Sequence, residues 1–279
     1  MQARNTFGIS AGVAMLLLSV PAIRGASVPS ARDTVVRLAG QIRKADYEGD
    51  RAALARFYSE LAPFAEDKEL SSRVLYWRGF ALWRRAINGF NETVTAKEQT
   101  RDLEQAVDEF NRAAAKDPAF VDAKVGTVSC LGLLIGLSQG DRARVQELIA
   151  RGAPLRKEAE TAAPDNPRLL WVLGMNQWYI PPEQGGGQVK SMETYQKGLE
   201  AARKQRGSIT DPLEPSWGEP ELLMSLAGAN LYRTTPDLDA AERYAQSALD
   251  MVPNWHYVRD ILLPQIRKAI EKSKSQDKP

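Results

Sequence analysis

The sequence predicts an all-α protein, an α-solenoid of about five antiparallel helix pairs closed by a C-terminal capping helix. Three observations carry that expectation. A small residue, a residue four on, a second small residue seven on and a proline twelve on recur in one register: Ala106, Phe110, Ala113 and Pro118, then Ala241, Ala245, Ala248 and Pro253. Ser191, Tyr195 and Gly198 repeat the stripe without the proline, and Gly152, Arg156, Ala159 and Pro164 repeat it without the aromatic. Residues so spaced lie on one helical stripe, where small side chains let two helices approach closely, and the proline then stops the helix. Next, each stripe is preceded by a candidate helix with its own small residue at a crossing point, Gly79, Gly126, Gly174 or Gly228. Finally, the composition is 43% hydrophobic, 26% charged and only 8% aromatic, with glycine and proline mainly between the proposed helices. Units of this kind bury their faces only against stacked neighbours, so 279 residues read as one continuous array instead of two separate cores.

The elements are taken in chain order. A first pair is expected at 33–47 and 50–63, turned by Glu48-Gly49, with Asp50 as N-cap and Leu54, Phe57, Tyr58 and Leu61 as the apolar face of its second helix. The second pair runs over 70–88 and 103–116. Gly79 precedes Ala106 by far more than a minimal hairpin needs, so about 88–101 is an inserted loop or a helix extension. Later pairs fall at 120–137 with 141–163, 167–179 with 188–204, and 220–233 with 238–251, the last turned by Thr234-Thr235-Pro236-Asp237. A helix over 258–272 covers the open end. Residues 273–279 are polar and form an expected disordered tail.

The first residues have a different purpose. Arg4 precedes an apolar run from Phe7 to Val20, and Val20-Pro21-Ala22 offers small or aliphatic side chains where a signal peptidase reads. Residues 1–22 are therefore expected to be a signal peptide, cut near 22–26, with 23–32 a linker and 33–272 the repeat domain. That apolar run is too short to span a bilayer, which takes about 20 residues. No cysteine comes after it to accept a lipid, so the mature chain is expected free in the periplasm or outside the cell. Cys130 is the only cysteine and sits in the most apolar proposed helix, where a small buried thiol is expected.

Signals of catalysis are thin. His256 is the only histidine, which excludes a two-histidine zinc site and an HExxH helix. Gly185-Gly186-Gly187-Gln188-Val189-Lys190-Ser191 lacks the glycine spacing and the preceding strand of a phosphate-binding loop, and reads as a permissive turn. Glu214, Glu219 and Glu221 beside Trp217 offer paired carboxylates, but among Pro212, Pro215 and Pro220 they read as a solvated loop opening a helix. With 37 Lys+Arg against 35 Asp+Glu and no long run of like charge, the chain carries no electrostatic footprint for nucleic acid. No enzyme activity, cofactor or metal is expected.

Over roughly 71–255 the stripes and glycines resemble those of the tetratricopeptide repeat superfamily. Pro181-Pro182-Glu183-Gln184-Gly185-Gly186-Gly187, followed by Lys190 to Tyr195, is also similar to a loop of bacterial exported repeat proteins such as the T component of TRAP-type transporters. The first resemblance implies a right-handed solenoid whose first helices line a concave groove. Taking each glycine as the eighth repeat position, it places Arg73, Tyr76, Phe80, Trp83 and Arg84 in that groove, then Trp171, Met175, Trp178 and Tyr179, and finally Tyr232 and Arg233. Phe120, Ala123, Thr127, Cys130, Arg168, Leu222 and Ser225 complete the lining. Aromatic and arginine side chains are the usual anchors of interfaces. The resulting expectation is a non-catalytic exported scaffold that binds a protein, a peptide or a small hydrophobic ligand there. Kinship with transporter components implies the alternative, a solute-capturing accessory of a transport system.

Overall fold

A computed structural model describes residues 29–276 of the chain; the expected signal peptide and most of the linker lie outside the described residues. Among these residues every regular element is helical, with eleven α-helices and no strand.

Helix α1 spans Ala31–Glu48, so the last two residues of the expected linker are already helical. Its start is a capping box: Ser30 Oγ accepts from the Asp33 amide, and Asp33 accepts in return from the Ser30 amide and hydroxyl. Gly49, in the left-handed region at φ 72°, ends it. Asp50 caps α2 (Arg51–Glu60), accepting from Ala53 N at 2.8 Å. Pro63 falls beyond α2, in a short 3-10 turn over Ala62–Phe64.

The expected insertion resolves as helix extension. Helix α3 (Ser71–Gly89) and α4 (Ala96–Lys116) leave only a short turn between them, and α4 begins seven residues before the predicted start at 103. Thr95 caps the lengthened end. Arg85 bridges Glu98 and Asp102, and Arg51 reaches Glu98 at 2.8 Å, so the extra turns are tied back to α3 and α2.

Six helices lie close to their predicted bounds: α5 (Val121–Leu137), α6 (Arg142–Ala162), α7 (Pro167–Tyr179), α8 (Gln188–Gln205), α9 (Glu219–Tyr232) and α10 (Leu238–Met251). A π-helical turn over Tyr257–Leu262 leads into α11 (Leu263–Gln276), so residues 273–276 of the expected tail are helical.

Helices pack on their sequence neighbours, except that α6 packs on α5 and not closely on α7, and α1, α3, α5, α7 and α9 also pack in series on one another. One continuous core runs from Val35 to Ile266. The stripe residues explain the close approach. Phe110 of α4 wedges between α3 and α5: a Cβ on Gly79 would stand 2.9 Å from its ring, and one on Gly126 would stand 2.6 Å from it. Tyr195 of α8 does the same to Gly174 at 2.5 Å. Gly228 departs from the pattern, since a Cβ there would meet nothing within 4 Å. Ala106, Ala113, Ala241, Ala245 and Ala248 are fully buried. In the degenerate stripe on α6 only Ala159 is buried, and Arg156 faces solvent.

The two ends of the helical array meet. Tyr47 at the end of α1 packs edge-on against Trp255, ring centroids 5.0 Å apart, and its hydroxyl donates to Glu221 at 2.8 Å. His256 lies against Gly49 and pairs with Asp260 at 2.8 Å.

Candidate binding site

Tyr76, Phe80, Trp83 and Trp171 of the predicted groove form a single aromatic cluster with Phe120, also predicted to line it, and with Trp77, Phe110 and Trp217. Trp83 stands 5.9 Å from Trp171 and 5.6 Å from Trp217, and Phe80 stands 5.5 Å from Trp217. Tyr76, Phe80, Trp83 and Trp171 line no open groove: each is at most 3% exposed. Arg84 is as deeply buried, 2.8 Å from Asp46 of α1, with its guanidinium 5.7–5.8 Å from the rings of Phe80, Trp83 and Trp171. Burial pushes the Asp46 carboxyl up, against the opposing pull of Arg84. Those four rings and Arg84 are core.

What fills the expected groove is the chain itself. Segment 206–218, between α8 and α9, crosses the inner faces of α3 and α7 as a strap. Leu213, Pro215 and Trp217 are buried while Pro212 and Ser216 are exposed, the period-two pattern of an extended segment laid on a surface. Trp217 Nε1 donates to the Tyr76 hydroxyl at 2.9 Å, and Trp77 Nε1 donates to the Leu213 carbonyl at 2.9 Å. Arg73 holds Glu214 at 2.6 Å and Asp117 at 2.8 Å while its guanidinium covers the Phe120 ring at 3.8 Å. Arg32 of α1 anchors Asp211 at 2.7 Å, and Arg168, itself paired with Asp122, donates to the Trp217 carbonyl. Burial drives the Tyr76 hydroxyl well above its ordinary range.

Each of the carboxylates read as a possible acid-base pair has a partner within the fold. Glu214 serves Arg73, Glu219 serves Arg206, and Glu221 accepts from the Tyr47 hydroxyl and the Gly218 amide. The 211–218 stretch is thus no solvated loop. Sequence reasoning missed Trp217 and Tyr47 as part of the interior, and Arg168, expected in the groove lining, is buried too. A leucine and a tryptophan at alternate positions of a proline-rich segment were the available signal.

Ala123, Thr127, Cys130 and Leu222 are buried as well and Ser225 is half-buried, while Met175, Trp178, Tyr179, Tyr232 and Arg233 sit elsewhere, at the C-terminal ends of α7 and α9. Tyr179 is 83% exposed and Tyr232 58% exposed, with Trp178, Met175 and Arg233 half-buried beside them. Tyr232 donates to Gln265 of α11 at 2.5 Å, and Thr234 N donates to Gln188 at the start of α8 at 2.9 Å, next to the exposed Val189. Burial raises the Tyr257 hydroxyl first of all, and the neighbouring Tyr232 and Tyr179 add to that shift. This rim therefore gathers three of the six exposed large apolar side chains among the described residues, Tyr179, Val189 and Tyr232. The glycine turn beneath it places Gly185 and Gly187 at φ 84° and 93°, values that favour glycine.

Among the described residues no cluster of three or more histidine, cysteine or acidic side chains is arranged to hold a metal ion, and no helix is long and apolar enough to cross a membrane. No protein-family model matches the chain, and no curated protein or solved structure matches it.

Proposed function

We propose that this chain is an exported, non-catalytic scaffold of the tetratricopeptide type, a right-handed solenoid of antiparallel helix pairs, that engages a protein or peptide partner through its aromatic rim. The serial packing of alternate helices and the seating of Phe110 and Tyr195 on glycines of neighbouring helices support the solenoid reading. One observation carries the functional part: the exposed rings of Tyr179 and Tyr232, with Trp178 and Val189, form an apolar edge on the surface. Tyr and Trp give large contact area at low conformational cost, and Arg233 at the margin supplies a charge that pairs with a carboxylate. The inner groove is occupied by the chain's own strap, so recognition moves from the concave face to this edge.

The test is co-purification from host envelope extract with wild-type protein and a Tyr179→Ala/Tyr232→Ala variant. The variant is expected to keep its helical circular dichroism and lose the partner. A partner retained equally by both would remove the rim from the interface. The same preparation gives the native N-terminus by mass spectrometry, expected between residues 23 and 27; Met1 retained in a cytoplasmic fraction would overturn export. A second reading, the solute-capturing accessory, is favoured by a separate feature, a cavity at the seam where the two ends of the array meet.

A further inference from the structure

The seam cavity has a volume of about 300 Å³ and is walled by α1, the C-terminal end of α8, the strap, the start of α9 and the end of α10. That lies at the lower bound of ordinary ligand pockets. It stands apart from the aromatic rim and shares no residue with it.

Its wall is chemically mixed. Its lining includes the polar side chains of Arg43, Ser216 and Gln205 and the apolar ones of Ile209, Met251 and Val252, of which Met251 is 42% exposed. Three charged side chains line the space, Arg43, Arg206 and Glu219, and two of them satisfy each other because Arg206 pairs with Glu219. Among the described residues Arg43 forms no ion pair. Its Nη1 donates to Ser216 Oγ at 3.2 Å, and its Nε is enclosed without an acceptor. The nearest buried acids are engaged elsewhere: Glu221 accepts from Tyr47 and Gly218, and Asp46 faces Arg84. Gln205 uses its carbonyl oxygen to accept from Arg168, which leaves its amide hydrogens to donate. A half-buried guanidinium without a counter-ion, its Nε enclosed and unpaired and a hydroxyl and an amide donor beside it, is completed by an anionic acceptor.

We propose that the seam cavity binds a small amphipathic monoanion, a single negatively charged head on a short aliphatic body. The head takes the Arg43 guanidinium with Ser216 and Gln205 as further donors, and the body lies on Ile209, Met251 and Val252. A cationic ligand is disfavoured by Arg43, and a dianion exceeds the one surplus charge of the lining. Because the wall combines α1 with the strap and α10, occupancy also ties the first helix of the array to its last pair.

Titration of the full exported chain with hexanoate and with hexanesulfonate tests this, using calorimetry and the fluorescence of Trp217, which lines the cavity. Both anions are expected to bind, while hexanol and hexylammonium at the same concentration do not. The ratio of the two anions separates a planar carboxylate head from a tetrahedral sulfonate one. Arg43→Gln should weaken anion binding by about tenfold or more, the loss of one charge-assisted contact. Met251→Glu, at an exposed position that tolerates a polar side chain, should weaken it similarly by repulsion, while Met251→Leu keeps it. Hexanol binding as tightly as hexanoate, unchanged affinity in Met251→Glu, or no anion bound at millimolar concentration would each overturn the proposal. Should Arg43→Gln fail to fold, the pair of Met251 variants decides.

Discussion

Arg84 and Tyr179 each stand five residues after a crossing glycine, on α3 and α7, yet one is 3% exposed and the other 83%. The residues one position earlier run the same course. Trp83 is fully buried, as is Cys130 on α5; Trp178 on α7 is half-buried, and Tyr232 on α9 is 58% exposed. Burial at equivalent places therefore falls along the array from α3 to α9. The cause is what lies opposite. The C-terminal half of α3 is covered by α1, which brings Asp46 to Arg84, and Asn88 donates to the Asp46 carbonyl from one turn further on. At the ends of α7 and α9 the edge of α11, the glycine turn and the start of α8 approach, and they leave Tyr179 and Tyr232 exposed. A repeat position states which face of a helix a residue occupies, and the neighbours decide whether that face is core or surface.

The sharpest way to break this comparison is Trp83→Ala against Trp178→Ala. Truncating the first should cost about 3–5 kcal/mol in chemical denaturation, as for any fully enclosed large side chain, and the second much less. Equal losses would mean the rim tryptophan is as deeply packed as the inner one. Arg84→Ala should cost a similar 3–5 kcal/mol or so, because it leaves the buried Asp46 carboxylate unmatched. Tyr179→Ala, by contrast, should fall within about 0.5 kcal/mol of wild type, as surface changes do. Adding Asp46→Leu to Arg84→Met should recover much of the Arg84 loss, and its failure to do so would show that the pair is not the cause.

A smaller effect separates two glycines. Gly126→Ala drives a methyl into the Phe110 ring and should destabilise by about 1–3 kcal/mol, as should Ala113→Leu on the same crossing. Gly228→Ala meets open space inside a helix and should stabilise by about 0.5–1 kcal/mol, since alanine loses less backbone entropy on folding. A melt in which both glycine variants shift the same way would refute the wedge. Smallest is a reactivity difference. Burial pushes the Cys130 thiol well above its ordinary range, so it stays protonated at neutral pH. A thiol reagent should label it only after unfolding, and rapid native labelling would place it at an accessible surface.

Much of the helical order was legible because helix formation is local. The caps Asp50, Asp141, Asn166 and Asp237 sit where their side chains accept the first free amides, and the stripes place Phe110 and Tyr195 on the faces that the structure buries. Even the loosened α6 is written in its stripe, where Arg156 stands at the place an aromatic takes in α4 and α8. The rim was legible by accident of register: Tyr179 and Tyr232 were picked as groove residues and lie at an edge.

By itself, then, the sequence determined that the chain is helical, where most helices begin and end, and which face of each is apolar. Only the tertiary structure decided what covers those faces. Periodicity records the contrast between apolar and polar sides of one helix, and carries no address for a partner far along the chain. The contacts that turn a groove into a core are of that distant kind: Trp217 with Tyr76, Leu213 with Trp77, and Glu221 with Tyr47 join residues 141, 136 and 174 positions apart. A strap whose apolar residues number three, in a segment too short and proline-rich for any helical period, becomes part of the interior only when the helices on both sides of it are in place.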